Sequence, residues 1–359
     1  MLLVSLPAAS APAPPPLSAT PLSAGAIYAG ADVDVHFYLA ARGGGGSIFR
    51  LVPLEKTRVT AEITMPSMPG MPPMMPTVHE EGAPGYFGVT TLFPHGGEYR
   101  VALTADAGGG AFRLNVMDAP DGPLPPPPFV VIVEPTPDPP AAGLPVTMRL
   151  GLTRRVTGEP VTDLLIVHTK PWHLLVMSDD LRWFDHIHPV AGPDGRYTVT
   201  ETFPFGGRFL LLSDVSPKGA GQQFAPAELT VSGAAPAATY ALAPTPRSRT
   251  IEGVTIALNA PSTLKAHEDV TLAFDVRDAA GAPVTDLEPY LGAMGHLIIV
   301  SQDRTRFVHS HPSSLEAAGT GTVRFLCRFP KPGLYKAWAQ FQRAGKVITA
   351  DYVVKVDGS

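Results

Sequence analysis

The chain contains an internal repeat with a spacing of 123 residues, and this repeat constrains the fold more strongly than any other feature. Residues 158–164 (GEPVTDL) return as 281–287 (GAPVTDL), and 173–180 (HLLVMSDD) return at the same spacing as 296–303 (HLIIVSQD). FDHIHP, which starts at Phe184, returns in register as FVHSHP, which starts at Phe307. Self-similarity of this kind indicates that one structural module has been duplicated.

A turn signature occurs three times and adds a third, divergent copy of the module. It is FPHGGEY from residue 93, FPFGGRF from residue 203 and FPKPGLY from residue 329. Between such turns, short stretches alternate apolar and polar residues, as in 33–39 (VDVHFYL) and 270–276 (VTLAFDV). This alternation is typical of half-buried strands in a sandwich. We therefore predict an all-β fold with three tandem immunoglobulin-like β-sandwich modules.

Pro-rich segments mark the module boundaries. We predict modules at 24–118, 129–232 and 249–357, with linkers at 118–128 and 233–248 that act as extended, semi-rigid spacers. Residues 1–23 form an apolar, Pro-rich segment with small residues typical of a signal cleavage site but no Lys or Arg before them. This segment is either a degenerate signal peptide or contributes residues 2–6 as a first strand.

The bulk composition supports a β protein and excludes several functional classes. Gly (35) and Pro (41) favour turns over long helices, while 45% hydrophobic residues are enough for packed cores. The net charge of −5 offers no basic surface for nucleic acid, and no apolar run has the roughly 20 residues of a spanning helix. The single cysteine, Cys327, excludes a disulfide framework within the chain, and its apolar neighbours predict a core position.

Three histidines of the second module are predicted to lie on one face of one hairpin. If residues 179–182 form the turn, His173 lies directly opposite His188, and His186 emerges two positions along on the same face. Leu175 and Met177 share that face, so we expect it to extend the stripe that points into the module's own core. We call His173, His186 and His188 the second-module set; the repeat gives a third-module set of His296, His309 and His311.

Three converging imidazoles are typical of a copper or zinc site. The alternative is a structural histidine cluster that was copied together with its hairpin. The other histidines (His36, His95, His168 and His267) have no ligand-like companions at matching spacing, so we predict structural or surface roles for them.

Methionines near these sites favour copper over zinc. Met294 lies two residues before His296, and a Pro-spaced run in the first module contains Met65, Met68, Met71, Met74 and Met75, followed by His79. Such a loop-like run is expected to have little core to fill, and thioethers select Cu(I). The alternative for the run is a flexible hydrophobic lip that docks a partner.

Residues 59–99 and 283–335 resemble the YtkA-like and FixH-like domain family. The resemblance consists of a G-x-P-V turn, a strand leading into Met-Pro or Met-x-His, and an aromatic-Pro-x-Gly-Gly-x-aromatic hairpin. It implies an immunoglobulin-like sandwich in extracytoplasmic bacterial proteins that handle metal, often copper, and assist oxidase assembly. The ligands it implies are Met65, Met68, Met71, His79, Met294 and His296. The chain differs from the family in lacking a FixH-type membrane anchor and in having Pro171 where the second module would carry the methionine.

The sequence thus predicts a periplasmic or secreted copper-binding protein that captures, stores or delivers Cu(I) or Cu(II). A copper-accepting protein or a membrane protein is the expected partner. The alternatives are a structural or interaction protein and a zinc-binding protein. A metal-dependent hydrolase is disfavoured because no carboxylate is placed as a general base and no nucleophile or phosphate-loop motif occurs.

Overall fold

The computed structural model describes residues 16–22, 27–30, 32–43, 50–68, 71–119, 126–218, 220, 222–238, 240–312 and 319–358. The predicted strand at residues 2–6 lies outside them, as does most of the signal-like segment. The described residues form 26 strands and no helix, so none of them supplies a helix long and apolar enough to cross a membrane. The predicted all-β fold of tandem sandwiches is confirmed.

The first module is a sandwich of two sheets. One sheet has the order β1-β3-β7-β6 with β4 added beside β3, and the other has the order β2-β9-β8-β5. Its strands are β1 (Ser18–Pro21), β2 (Ile27–Tyr28), β3 (Asp32–Gly43), β4 (Arg50–Pro53), β5 (Thr60–Thr64), β6 (Val78–Glu80), β7 (Tyr86–Leu92), β8 (Gly97–Ala105) and β9 (Gly108–Met117). Strand β1 falls within the predicted N-terminal segment 1–23 and pairs with β3, so that part of the segment belongs to the sandwich.

The second module pairs the sheet β10-β11-β15-β14 with the sheet β13-β12-β16-β17. Its strands are β10 (Phe129–Thr136), β11 (Pro145–Arg154), β12 (Trp172–Ser178), β13 (Phe184–Ile187), β14 (Val190–Ala191), β15 (Tyr197–Thr202), β16 (Gly207–Val215) and β17 (Gln223–Val231).

The third module pairs the sheet β18-β19-β21-β24 with the sheet β20-β26-β25-β22-β23. Its strands are β18 (Ser248–Ile251), β19 (Val254–Asn259), β20 (Leu264–Lys265), β21 (Asp269–Arg277), β22 (His296–Ser301), β23 (Phe307–Ser310), β24 (Thr322–Arg328), β25 (Gly333–Arg343) and β26 (Lys346–Asp357).

The threefold turn signature has a backbone reason. Gly97, Gly207 and Gly333 occupy its last glycine position, and their φ angles are 135°, 148° and 140°. Side-chain-bearing residues rarely adopt such angles, whereas glycine does so without steric cost. Each of these glycines begins a long strand (β8, β16 or β25), so the signature fixes where that strand starts.

Each module has its own apolar core between its two sheets. Phe37, Phe203 and Phe325 are examples from the first, second and third cores, and all are fully buried. Cys327 lies in the third core, as predicted.

The second and third modules also pack against each other, sheet to sheet. Every residue of β12 and of β22 is buried, which a strand at the outside of a sandwich would not be. One face of each strand points into its own core, and the other contributes to an apolar interface cluster between the modules. This cluster consists of Leu175, Met177, Leu181, Leu210, Leu212, Ile298, Val300 and Trp338. The two modules therefore form a stack of four sheets.

The direction of the histidine face differs from the prediction. Leu174 and Val176, not Leu175 and Met177, lie in the core of the second module. The expectation that the histidines extend the module's own core stripe was wrong, because both faces of this strand are apolar and no alternation marks the inner one. The histidine face instead points at the third module.

The predicted spacers are partly packed. The ring centroid of Tyr240 in the second linker lies 5.4 Å from the Arg182 guanidinium, and its hydroxyl oxygen accepts a hydrogen bond from Lys336 Nζ at 3.1 Å. Asp118, at the start of the first linker, binds Arg328 of the third module through both carboxylate oxygens at 2.9 and 2.7 Å. These linker residues therefore help to fix the modules, which an extended spacer would not do.

Candidate metal centre

The hairpin that carries the second-module set has the predicted register. Leu175 pairs with His186 and Met177 with Phe184, as a turn at residues 179–182 requires. The turn is closed by a hydrogen bond from Ser178 N to Trp183 O at 3.0 Å, and Leu181 takes a positive φ of 61° within it.

The third-module hairpin repeats this construction. Ile298 pairs with His309, and Ser301 N donates to Arg306 O at 3.0 Å across the turn. Arg304 takes a positive φ of 57° at the position equivalent to Leu181. It also forms an ion pair with Asp179, so the two turns touch at their tips.

The two histidine sets meet in one place, which the sequence did not predict. The ring centroids of His173 and His309 are 5.7 Å apart. The ring centroid of His186 lies 5.6 Å from that of His296 and 5.4 Å from that of His309. We call the resulting group the histidine cluster; it comprises His168, His173, His186, His188, His296, His309 and His311. Two combinations have ligand atoms all within 4.8 Å: His173 with His186 and His188, and His186 with His296 and His309.

The outer nitrogens of the strand histidines are held by backbone carbonyls. His173 Nε2 lies 3.0 Å from the carbonyl oxygen of Val167, and His296 Nε2 lies 2.9 Å from that of Tyr290. Because a carbonyl only accepts, each Nε2 carries the proton and each Nδ1 is left as a lone-pair donor in the neutral ring. These acceptors are themselves related by the 123-residue repeat.

The central histidines are held reciprocally by the opposite module. His186 Nδ1 is 2.9 Å from Gln340 Oε1 of the third module, and His309 Nδ1 is 2.7 Å from Asp214 Oδ2 of the second. Gln340 Nε2 donates to Thr349 Oγ1, which leaves its Oε1 to accept from His186. Both histidines therefore turn Nε2 inward, and each module orients a histidine of its neighbour.

The inward nitrogens are spaced as ligands of one ion are spaced. His173 Nδ1 is 3.2 Å from both His186 Nε2 and His188 Nε2, and His296 Nδ1 is 3.3 Å from His309 Nε2. Two nitrogens on a tetrahedral ion, with metal–nitrogen bonds of about 2.0 Å, are about 3.3 Å apart. Each set thus places imidazole nitrogens at the separation that metal coordination requires.

Burial keeps these imidazoles neutral. It lowers the pKa of His173, and it lowers that of His186, His296 and His311 well below the usual value. The charge of His309 on the neighbouring ring acts in the same direction. Burial also lowers the pKa of His188 to about 3. A neutral imidazole is the form that binds metal, so protons compete weakly at this site.

Asp214 is the buried carboxylate that faces the cluster. Burial alone would raise its pKa, but the hydrogen bond and charge of His309 hold it below the usual range. Gln222 Nε2 donates to both of its oxygens, at 2.9 and 3.0 Å. Asp214 is therefore an oriented anion behind His309, in the arrangement that tunes metal-bound histidines.

His168 belongs to the cluster, and the expectation that it has no ligand-like companions was wrong. Its ring stacks on that of His311 at 3.6 Å and lies 6.0 Å from His296. The Nε2 atoms of both His168 and His311 are buried and have no hydrogen-bond partner among the described residues. The repeat carries no signal for His168, since the equivalent position in the third module is Leu291.

The predicted methionine ligands lie elsewhere. Met294 is buried in the core of the third module with Leu297 and Ile299, whereas His296 faces the second module. Its place in that core gives it a packing role, and a role as a ligand stays a prediction.

The Met-rich run of the first module is mostly core. Met65, Met68 and Met74 are 2%, 6% and 2% exposed and belong to the first core, Met71 packs against it, and Met75 is exposed. The expectation that this run has little core to fill was therefore wrong: Met74 forms backbone hydrogen bonds with Ile63, which folds the segment back over the sandwich.

His79 is at the surface of the first module and is not part of the core that contains Met65, Met68 and Met74. It lies across β7 from His36, and both approach Glu81 Oε1, at 3.6 Å from His79 Nε2 and 2.6 Å from His36 Nδ1. Gly88 lies between them, and a Cβ there would come within 2.7 Å of His79 Nε2. The structure does not bring His79 to the histidine cluster.

Comparison with known families divides the chain. Residues 51–104 match the family model described as YtkA-like. This YtkA-like match contains the Met-rich run and the turn signature from residue 93, so the predicted resemblance is confirmed there. Residues 249–358 match a domain of unknown function, DUF8832, which covers the third module. The FixH-like resemblance, and its extension to residues 283–335, stay predictions.

No curated protein matches the chain. Solved structures with similarity include FdeC, an adhesin of Escherichia coli, at 17% identity and a TM-score of 0.22, with 95% of this chain and 97% of that chain covered. Domains FN1–FN3 of chicken CNTN1 match at 11% identity and a TM-score of 0.18, with 96% of this chain and 99% of that chain covered. Three domains of the bacteriophage RB49 capsid protein Hoc match at 10% and 0.21, covering 96% and 98%. Scores of this size support no argument about function.

Proposed function

We propose that the protein binds copper through the histidine cluster between its second and third modules. The observation that carries the proposal is the 3.2 Å separation of His173 Nδ1 and His186 Nε2, whose partner nitrogens already face Val167 O and Gln340 Oε1. As neutral rings, the two histidines point lone pairs at each other. Such a contact is unfavourable by itself and becomes favourable when a cation lies between the two nitrogens.

The choice of copper rests on the donor set. The described ligands are imidazoles without a thiolate, and nitrogen sites of this kind bind Cu²⁺ more tightly than Zn²⁺ or the earlier divalent metals. Imidazoles also accept Cu(I), so the site suits both oxidation states. The methionines do not contribute to this argument, because the predicted methionine ligands lie in module cores (Met65, Met68, Met74 and Met294), against the first core (Met71) or at an exposed position of the first module (Met75). Zinc is the competing ion, since the same spacing fits its tetrahedral geometry.

Binding, rather than catalysis, is the role we propose. His173, His186 and His296 are 3%, 4% and 0% exposed, so a substrate would have little access to an ion held there. Asp214, the carboxylate nearest the cluster, already accepts from His309 and Gln222. Capture, storage or delivery of the ion, with a copper-accepting or membrane protein as partner, fits a buried site.

An extracytoplasmic location, periplasmic or secreted, is part of the proposal. It is supported by the YtkA-like match of the first module, since the family resemblance implies export. Cell fractionation with an antibody to the chain tests it: we expect the protein outside the cytoplasm, and recovery in the cytoplasmic fraction contradicts that placement.

A structural histidine network is the second candidate, and one contact favours it. The His309–Asp214 pair is buried, with side chains 1% and 8% exposed. If His309 is protonated, its Nε2–H donates to His296 Nδ1 at 3.3 Å, which satisfies the third-module pair without a metal. In that case the histidines would join the two modules as hydrogen-bonding groups only.

Metal analysis separates the two candidates. Purified protein is exposed to equal amounts of Cu²⁺ and Zn²⁺, desalted, and measured by elemental mass spectrometry. We expect stoichiometric copper in the wild type and strong loss in the double variant His186→Ala/His296→Ala, because both ligand combinations and both histidine sets lose a member. Wild-type protein that retains neither metal contradicts the proposal, and retention of zinc alone replaces copper by zinc.

His79→Ala is the matched control. It removes an exposed imidazole that the structure keeps apart from the cluster, so we expect unchanged copper content. An equal loss in this variant would move the site to the first module.

A further inference from the structure

The two sets of the histidine cluster are near-equivalent ligand sets. Each has a strand histidine that turns Nδ1 inward, held by the carbonyl six residues earlier, and a central histidine that turns Nε2 inward. The third member also corresponds: His188 Nε2 faces His173 Nδ1, while His311 Nε2 is buried without a partner among the described residues. The centroid of the His311 ring lies 4.6 Å from that of His296 and 4.4 Å from that of His309, so three imidazoles come together on each side of the interface. Among the described residues, only the second-module set has all three ligand nitrogens within 4.8 Å of one another.

The two sets are close enough to act as one centre. A ring nitrogen of His186, from the second-module set, lies within 4.8 Å of ligand nitrogens of His296 and His309. With metal–nitrogen bonds of about 2 Å, ions in the two sets would lie no more than about 9 Å apart. At that distance in a buried site, the two cations repel each other, so binding of one lowers the affinity for the other.

The anionic support of the two sets is unequal. His309 is backed by the carboxylate of Asp214, whereas His186 is backed by the neutral amide of Gln340. The two residues occupy equivalent positions, because Asp214 pairs with His173 and Gln340 pairs with His296 in neighbouring strands. A carboxylate behind a histidine makes it a stronger ligand and offsets part of the ion's charge.

Resting on the proposed function, we propose that the histidine cluster is a two-ion centre, with one ion in each set, and that the third-module set fills first. Asp214 favours the first ion there. The second ion then enters the second-module set against the charge of the first. Because Coulomb repulsion scales with the product of the charges, two Cu(I) ions repel each other about fourfold less than two Cu(II) ions at the same distance. Cu(I) is therefore the ion with which the pair forms most readily.

The test is an anaerobic titration of the full chain with Cu(I) against a chromophoric Cu(I) chelator. We expect two equivalents bound in two resolved steps. His311→Ala removes the tighter step and His188→Ala removes the weaker one. Asp214→Asn, which keeps the shape of the side chain, weakens the tighter step by roughly 10–100-fold, the usual effect of removing an outer-shell partner.

The alternative outcomes are distinct. One equivalent that is lost in His186→Ala but kept in both His188→Ala and His311→Ala means a single ion bound across the modules by His186, His296 and His309; this overturns the two-ion centre and leaves the proposed function standing. No binding at all overturns the proposed function itself. Two steps that Asp214→Asn leaves unchanged overturn the filling order.

A gain-of-charge variant covers the case in which Asp214→Asn does not fold. Gln340→Glu places a carboxylate behind His186, so we expect the weaker step to tighten by a comparable factor. A tighter step that moves instead, or a weaker step that does not move, overturns the assignment. Near-ultraviolet circular dichroism of each variant shows whether the module packing is retained.

Discussion

Asp214 in β16 accepts a hydrogen bond from His309 Nδ1 in β23 at 2.7 Å, across the boundary between two modules. The residues are 95 positions apart in the chain, and each belongs to a different sandwich. The converse contact, from His186 to Gln340, crosses the same boundary in the other direction. The orientation of the ligands therefore depends on the docking of the modules, and this dependence underlies the predictions below.

Metal is expected to stabilise the whole two-module stack. An ion that binds the folded chain stabilises it by about 2.7 kcal/mol when its free concentration is 100 times the dissociation constant. Scanning calorimetry with copper should show a higher melting temperature than the metal-free protein, and addition of a strong chelator should reverse the shift. The double variant His186→Ala/His296→Ala, which removes a histidine from each set, should melt at one temperature under both conditions; a copper-dependent shift in that variant would contradict the site.

The metal-free protein is expected to lose stability as the pH falls below about 6.5. Burial lowers the pKa of His168 to about 4 and that of His188 to about 3, while the same side chains titrate near 6.5 in an unfolded chain. At pH values between the folded and the unfolded pKa, the unfolded chain binds protons at these histidines and the folded chain does not, so a lower pH favours unfolding. Above pH 6.5 neither state is protonated there, and the free energy of unfolding no longer depends on these groups.

Urea denaturation of chelator-treated protein at several pH values measures this dependence. His168→Phe keeps an aromatic ring against His311 but does not titrate, so its stability should depend less steeply on pH. An identical slope in the variant and the wild type would show that His168 is not a buried neutral base.

Trp338 is expected to couple module docking to metal affinity. Its ring stacks on Phe184 of the second module, with centroids 4.5 Å apart, and it is 3% exposed. Trp338→Ala should destabilise the protein by about 3–5 kcal/mol, the range for large-to-small core substitutions, and should weaken copper binding. Trp183→Ala, which loses contacts with Phe209 inside the second module, is the control that should lower stability with less effect on affinity. Equal affinities in the Trp338 variant and the wild type would show that docking does not control the site.

The Met-rich run of the first module is expected to act through packing. Met74→Leu preserves the volume of a core side chain, so the destabilisation should stay below about 1.5 kcal/mol, and the Cu(I) stoichiometry should not change. Chemical denaturation and the chelator titration measure both quantities. A lost equivalent of Cu(I) in this variant would establish the methionines as ligands after all.

The sequence was sufficient to predict the hairpins in detail. The repeat fixed which histidines correspond, and a four-residue turn then determined that Leu175 faces His186. It was not sufficient to predict which face of β12 is internal, because Leu174 and Leu175 are equally apolar. Local periodicity describes how a strand packs in its own sheet and holds no information about a second sandwich.

The residues that complete the candidate site were invisible for a related reason. Asp214 and Gln340 occupy equivalent strand positions but differ in chemistry, and His168 has no histidine counterpart in the third module. Ligands predicted from the repeat include only residues that both modules share. The methionines of the first module show the opposite error: their number and spacing predicted ligands, although three of the five are core residues.

The all-buried strands β12 and β22 have a kinetic consequence. An ion bound between two inner sheets is expected to leave mainly when the sandwiches part, and the rate of that opening would then limit its escape. The residence time of the ion would then depend on the apolar interface cluster, which includes Trp338, and on the linker contacts that keep the second and third modules together. The strength of the individual nitrogen–metal bonds would matter less. The two turn tips meet at the Asp179–Arg304 ion pair. A recipient protein that disrupts this contact would receive the ion faster than one that only competes with the histidines for the metal.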